Sequence, residues 1–155
     1  RRPDLGTRPR SPRLAPGARV SLLLNRHAWA GHSSEWQGDD GVRPLDDRGI
    51  RQAEALVEAL ADYELDRIVS SPYVRCVQTV EPLAKARGLE IEFDEQLGAD
   101  RLHEVPQVLE RLKGQNAVVC THGDLPWLGD RKFKKGSTWV LDEDLEPVRY
   151  IPPLA

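Results

Sequence analysis

The sequence predicts a three-layer α/β/α sandwich with a mostly parallel central sheet and one antiparallel strand. Three observations carry this expectation. Short apolar-rich runs at 20–24 (VSLLL), 66–70 (DRIVS) and 117–120 (AVVC) have the length and branched side chains of strands buried on both faces. Amphipathic helical patterns separate them, and strand alternating with helix yields a parallel sheet covered on both faces. Residues 137–141 and 147–151 form a hairpin-like pair around DEDLE, which turns at least one strand antiparallel.

The elements follow in order. Residues 1–18 are rich in Arg, Pro and Gly and read as a flexible basic leader or linker, with the folded domain over 19–155. After the first strand comes a polar, irregular stretch, 28–45, long enough to be a functional loop. A helix is expected from Asp46 or Asp47 to about residue 62, with an Asp cap and a stripe of Ile50, Ala53, Leu56, Val57 and Leu60. Ser71-Pro72 reads as the cap and first position of a second helix, which stops at Gly88. Residues 89–93 alternate like a strand, and 105–112 present Val105, Val108, Leu109 and Leu112 on one helical face.

Composition narrows the function classes. The chain has 155 residues and a net charge of −3, from 22 Lys+Arg against 25 Asp+Glu, with 39% apolar and 30% charged residues. Those figures fit one globular domain and argue against a nucleic-acid polymer as partner, which would call for a basic excess. No apolar run approaches the roughly 20 residues of a membrane span, and no signal-peptide core is evident. Cys76 and Cys120 lie in apolar segments without metal-ligand spacing, so reduced, buried thiols and a cytoplasmic setting are expected. The sequence contains no methionine, which points either to a processed or trimmed N-terminus or to residues of the natural chain that this sequence lacks.

The chemistry gathers where strands end. In open α/β sheets, ligands bind beyond the carboxyl ends of the strands. The first strand run is followed by Asn25-Arg26-His27, the second by Ser71, Pro72 and then Arg75, and the AVVC run by Thr121-His122-Gly123. Each piece alone is an ordinary loop. Together, Arg26, His27, Arg75 and His122 bring two guanidiniums and two imidazoles to one sheet edge, a combination suited to a phosphoryl anion.

The segments LLLNRHA, RPLDDRGIRQAEAL, IVSSPYVRCVQT and VVCTHGD resemble, in order, the motifs of the histidine phosphatase superfamily, whose fold is phosphoglycerate-mutase-like. The resemblance runs from about residue 19 to 151. It is most similar to the small SixA-type phosphohistidine phosphatases. It is also similar to the phosphatase-like domain fused behind Nudix hydrolases in actinobacteria, through Trp36, Gly38, Asp39, Asp40, the RPLD stretch at 43–46 and KGSTWVL at 135–141.

What the resemblance implies is a phosphatase acting on phosphohistidine, a small phosphomonoester or a phosphoanhydride. His27 would be the nucleophile, with Arg26, Arg75 and His122 as catalytic and substrate-binding groups, and no metal or other cofactor. Partners would be a phosphorylated small molecule or a phosphohistidine protein, with no membrane, and a Nudix domain as a further possible partner. An accessory phosphate-binding domain beside a Nudix hydrolase is the alternative, and an oxidation sensor built on Cys76 or Cys120 a weaker one. The proton donor stays open among Asp100, Glu104 and Asp39, with Asp40 and Asp124 also in nearby loops. A weak or absent donor would favour a leaving group that needs little protonation. Mutases of the family carry a Glu two residues after the nucleophile, where this chain has Trp29, so a mutase is not expected.

Three departures from the family pattern stand out. Asn25 occupies a usually aliphatic position, and Ala28 a commoner Gly. Only twelve residues, DLPWLGDRKFKK, separate Gly123 from Gly136, where relatives fit a helix and a loop. Trp139 is expected in the core, Trp29, Trp36 and Trp127 in packing roles, and His32 and His103 at the surface. The run RKFKK at 131–135 reads as a solvated face.

Overall fold

Alternate side chains of a strand point to opposite faces, so an apolar strand feeds two cores at once. In the computed structural model, which describes residues 21–155, the strands are β1 (Leu22–Arg26), β2 (Arg67–Ser70), β3 (Ile91–Phe93), β4 (Ala117–Thr121), β5 (Thr138–Leu141) and β6 (Pro147–Ile151). The helices are α1 (Asp47–Ala59), α2 (Val74–Arg87) and α3 (Val105–Leu112). The sheet order is β3-β2-β4-β1-β5-β6. β1 to β4 pair in parallel, whereas β5 runs antiparallel to both β1 and β6. The one reversed strand is therefore β5. The expected leader, 1–18, lies outside the described residues.

Register explains the layers. Ile68, Val118, Leu23 and Val140 line up across β2, β4, β1 and β5. That row packs against Leu56 and Leu60 from the α1 segment and Val80 and Leu83 of α2. One position along, Val69, Val119, Leu24 and Leu22 meet Val105, Val108, Leu109 and Leu112 of α3 on the other face. Each of these buried aliphatics contributes up to about 1.5–3 kcal/mol.

Two expectations need correction. The stripe of α1 is turned from the one read in the sequence: Gly49, Gln52, Ala53 and Leu56 are buried and Ile50 is 46% exposed. The cause is polar, because Gln52 Oε1 accepts from Trp29 N while its Nε2 donates to Lys135 O and Leu154 O. Gly49 permits the close packing, since a Cβ there would lie 2.0 Å from Trp29 O. Ser71 does not cap α2, which starts at Val74. Its Oγ instead accepts from Tyr73 N at 3.2 Å, shaping the turn ahead of the helix. Between Gly123 and Gly136 there is a single 3-10 turn, Pro126–Leu128, and no longer helix.

α3 begins and ends at the expected residues, and α2 ends on Gly88, whose φ of +67° closes the helix in the left-handed region. Cys76 and Cys120 are both free and buried. No helix among the described residues is long and apolar enough to cross a membrane.

Candidate active site

β1, β4 and β2 are neighbours with parallel carboxyl ends, so the residues that follow them meet at one edge. Arg26 ends β1, His27 follows it, His122 follows β4, and Arg75 stands in the first turn of α2 after β2. All four expected site residues therefore share one place. Charged and imidazole side chains are seldom hidden, yet His27, Arg75 and His122 are 6%, 4% and 4% exposed.

His27 is fixed by its own backbone. Its N–H donates to Thr121 O at 3.0 Å, and Nδ1 lies 2.7 Å from Ala28 O. A carbonyl can only accept, so Nδ1 carries the proton and Nε2 keeps its lone pair. Burial, reinforced by the charges of Arg75, Arg26 and Lys135, lowers the His27 pKa to about 3 against the opposing pull of the Ala28 carbonyl. The imidazole is thus neutral near pH 7. Ala28 N in turn donates to Thr79 Oγ1, which donates to Arg75 O, so one threonine ties the His27 loop to α2.

His122 sits 5.3 Å from His27, ring centroid to centroid, at 67°. Its Nε2 lies 3.1 Å from Ser71 Oγ and 3.5 Å from Cys76 Sγ. Burial, then the neighbouring His27 and Arg75, lowers its pKa to about 3 as well. Tyr73 packs edge-on against His122 at 4.7 Å, and Arg75 Cζ lies 4.9 Å from the Tyr73 ring centroid.

The two arginines are held differently. Arg75 donates from Nη1 to Asp40 O and from Nη2 to Asp40 Oδ2, both at 2.9 Å. Arg26 donates from Nη1 to the backbone carbonyl of Phe133, and its guanidinium passes over Gly123. A Cβ on Gly123 would stand 2.4 Å from Arg26 Cζ, so glycine is needed there for the arginine to cross. The Nε atoms of both arginines are buried without a partner among the described residues.

Asp40 is the residue that sequence reading underrated. Burial pushes its carboxyl up, but hydrogen bonds and charge from Arg43 and Arg75 outweigh that and leave it below the usual carboxylate range. It was legible only as one of several loop acids. Of the named donor candidates, Asp39 caps the turn Asp40–Val42 through Gly41 N. Glu104 is held by Arg101 and Gln96 and has a pKa of about 2. Asp100 is exposed, and its charge adds to burial in raising the Tyr73 phenol.

Asn25 has a structural use: its Nδ2 donates to Ser137 O and Thr138 Oγ1, both at 3.1 Å, fastening β1 to the start of β5. Ala28 is buried with Ala30, Leu45 and Ala53. His32 and His103 are exposed, as expected. Among the described residues no three His, Cys, Asp or Glu side chains are placed to hold a metal ion.

This arrangement belongs to a known class of protein. The Histidine phosphatase superfamily (branch 1) matches residues 22–98, and the chain belongs to that superfamily. Over 156 aligned residues it is 36% identical to the 8-oxo-(d)GTP phosphatase of Mycolicibacterium smegmatis, covering 86% of this chain. The chain spans about half, 48%, of that relative's length. In fold it is similar to SixA of Agrobacterium tumefaciens, with a TM-score of 0.72 at 22% identity over 88% of this chain and 99% of that one. It is equally similar, with a TM-score of 0.72 at 22% identity over 85% and 96%, to the protein histidine phosphatase SixA complexed with tungstate.

Proposed function

We propose that the chain is a phosphatase that removes a phosphoryl group from a small phosphorylated molecule through a phosphohistidine on His27. The carrying observation is the Nδ1 contact with Ala28 O, which leaves Nε2 as the free lone pair of a neutral, buried imidazole between two arginines. That lone pair attacks phosphorus as the bond to the leaving oxygen breaks, and the leaving group takes the electron pair. Water then attacks the phosphorus, the N–P bond breaks, and inorganic phosphate leaves. Arg26, Arg75 and His122 hold the phosphoryl oxygens while charge shifts among them. Ser71 Oγ can donate to His122 Nε2, which leaves Nδ1–H of that ring as the donor to phosphate.

Asp40 occupies Arg75 at two atoms, so the incoming phosphoryl group takes over those contacts from it. A phosphoanhydride is the favoured substrate class. Asp39 and Glu104 are committed to other groups, and a leaving phosphate needs no proton. The name of the Mycolicibacterium smegmatis relative, which acts on a compound with phosphoanhydride bonds, supports this.

The test is a panel of phosphoanhydrides, phosphomonoesters and a phosphohistidine peptide, assayed with the native chain and with His27→Ala. The variant is expected to lose about 10³-fold or more in kcat. A base-stable, acid-labile phosphoenzyme should accumulate only in the native chain. Normal turnover by His27→Ala overturns the proposal. Phosphate binding without turnover in the native chain would favour an accessory domain.

A further inference from the structure

A cavity of about 560 Å³ opens beside Arg26, on the β5–β6 side of the sheet edge. Arg26, Arg48, Lys132, Lys134 and Lys135 all line it. The run 131–135 is therefore more than a solvated face: Phe133 is buried, and three of its lysines gather at this cavity.

Among the described residues, Arg48, Lys132, Lys134 and Lys135 have no carboxylate ion-pair partner. Three of them lie against aromatic rings instead. Arg48 Cζ is 4.3 Å and Lys135 Nζ 4.1 Å from the Trp29 centroid, and Lys132 Nζ is 5.3 Å from that of Tyr150. A ring face attracts a cation without cancelling its charge, so the cavity keeps a positive field. Two carboxylates act on this cluster from outside the lining. Asp46, which acts on Lys135, accepts from Gly49 N and Gly31 N, and Asp124, which acts on Arg26, is exposed. Burial and the charges of Arg26, Arg43 and Arg48 push the Lys135 ammonium below its ordinary range against the opposing pull of Asp46, as expected where cations outnumber nearby carboxylates.

The cavity adjoins the phosphoryl site. Arg26 belongs to both, and Gly136 N, next to Lys135, donates to Arg26 O and His27 O. We infer that this cavity is a second anion subsite, which holds the retained phosphate of a small polyphosphorylated substrate while its terminal phosphoryl group meets His27. The inference rests on the phosphatase reading of His27. As the N–P bond forms and the bridging P–O bond breaks, the electron pair goes to the retained phosphate, and Lys135 and Arg48 stabilise the charge it gains. A compact multivalent anion fits cations gathered around one concavity, whereas an acidic peptide calls for cations spread along a groove.

The test is equilibrium binding by calorimetry to the His27→Ala chain, which does not turn over, with orthophosphate, tripolyphosphate and hexaglutamate as probes. Tripolyphosphate should bind about tenfold or more tighter than orthophosphate. Adding Arg48→Ala and Lys135→Ala should reduce its affinity to that of orthophosphate, and Arg48→Lys should restore part of the difference. Unchanged near-UV circular dichroism will show that the variants are folded. Equal affinity of the two phosphates for the parent, or a preference that survives both substitutions, overturns the subsite. Hexaglutamate binding as tightly as tripolyphosphate, and lost in the same variant, overturns the small-molecule occupant. Failure of the phosphoryl site itself registers separately, as orthophosphate binding that Arg75→Ala does not weaken.

Discussion

The two flanks of the sheet edge hold their cations in opposite ways. On the β2 flank, Arg75 is buried and Asp40 accepts two of its hydrogen bonds. On the β5 flank, Arg48 and Lys135 lie on the ring of Trp29 with no carboxylate partner. Burial explains the difference. A guanidinium removed from water needs a paired charge to offset its desolvation, whereas exposed Arg48 and half-buried Lys135 keep more of their hydration and rest on a ring face. A phosphoryl group entering the first flank must therefore displace an anion. An anion entering the second displaces only water.

The largest way to break this contrast is to remove its buried cation. Arg75→Ala is expected to cost about 10²–10³-fold in kcat/KM, the scale of losing one fixed donor to developing charge, measured by steady-state kinetics on a phosphoanhydride. A loss of twofold or less would mean that Arg75 serves only to anchor Asp40.

Acid should strike the buried flank next. His27 and His122 have pKa values of about 3 when folded, below the ordinary imidazole value of 6.5. The unfolded chain then binds more protons than the folded one as pH falls below 6.5, so stability declines in that direction. Each histidine contributes a loss approaching about 1.4 kcal/mol per pH unit between 6.5 and 4.5. Below that window the Asp40 and Glu92 carboxyls, also held low, add to the loss. Urea unfolding of the native chain and of His122→Asn across this range measures the slope. Identical slopes would sink the assignment of a neutral, buried His122.

The smallest change should come from unpairing Arg75 without removing it. Asp40→Asn weakens an internal competitor for the phosphoryl site, so the inhibition constant of orthophosphate should fall by about threefold, the scale of one partly exposed ion pair. If kcat instead falls, and falls most for substrates with poor leaving groups, Asp40 is the proton donor rather than a competitor.

Local pattern reached far into this fold. The apolar positions of α3 and the parity of β1, β2 and β4 are written in residue type, and they place Arg26, His27, Arg75 and His122 at neighbouring strand ends. Reading failed where one side chain answers to a distant backbone. Gln52 looks like a surface residue of α1 until Trp29 N and Lys135 O are brought to it. Ser71 resembles a helix cap, yet it serves Tyr73 N and stands beside His122. Asp40 could not be chosen from five loop acids, because its link to Arg75 spans 35 residues.

The sequence alone determined the fold class, the strand ends at which the candidate site lies and the identity of the histidines and arginines gathered there. These depend on periodicity and on residue type, which are local properties. The tertiary structure decided which nitrogen of His27 is free, which acid holds Arg75, and that Trp29 gathers Arg48 and Lys135 beside Arg26. Those outcomes depend on distances of a few ångströms between residues far apart in the chain, and on burial that strengthens charge, neither of which spacing encodes.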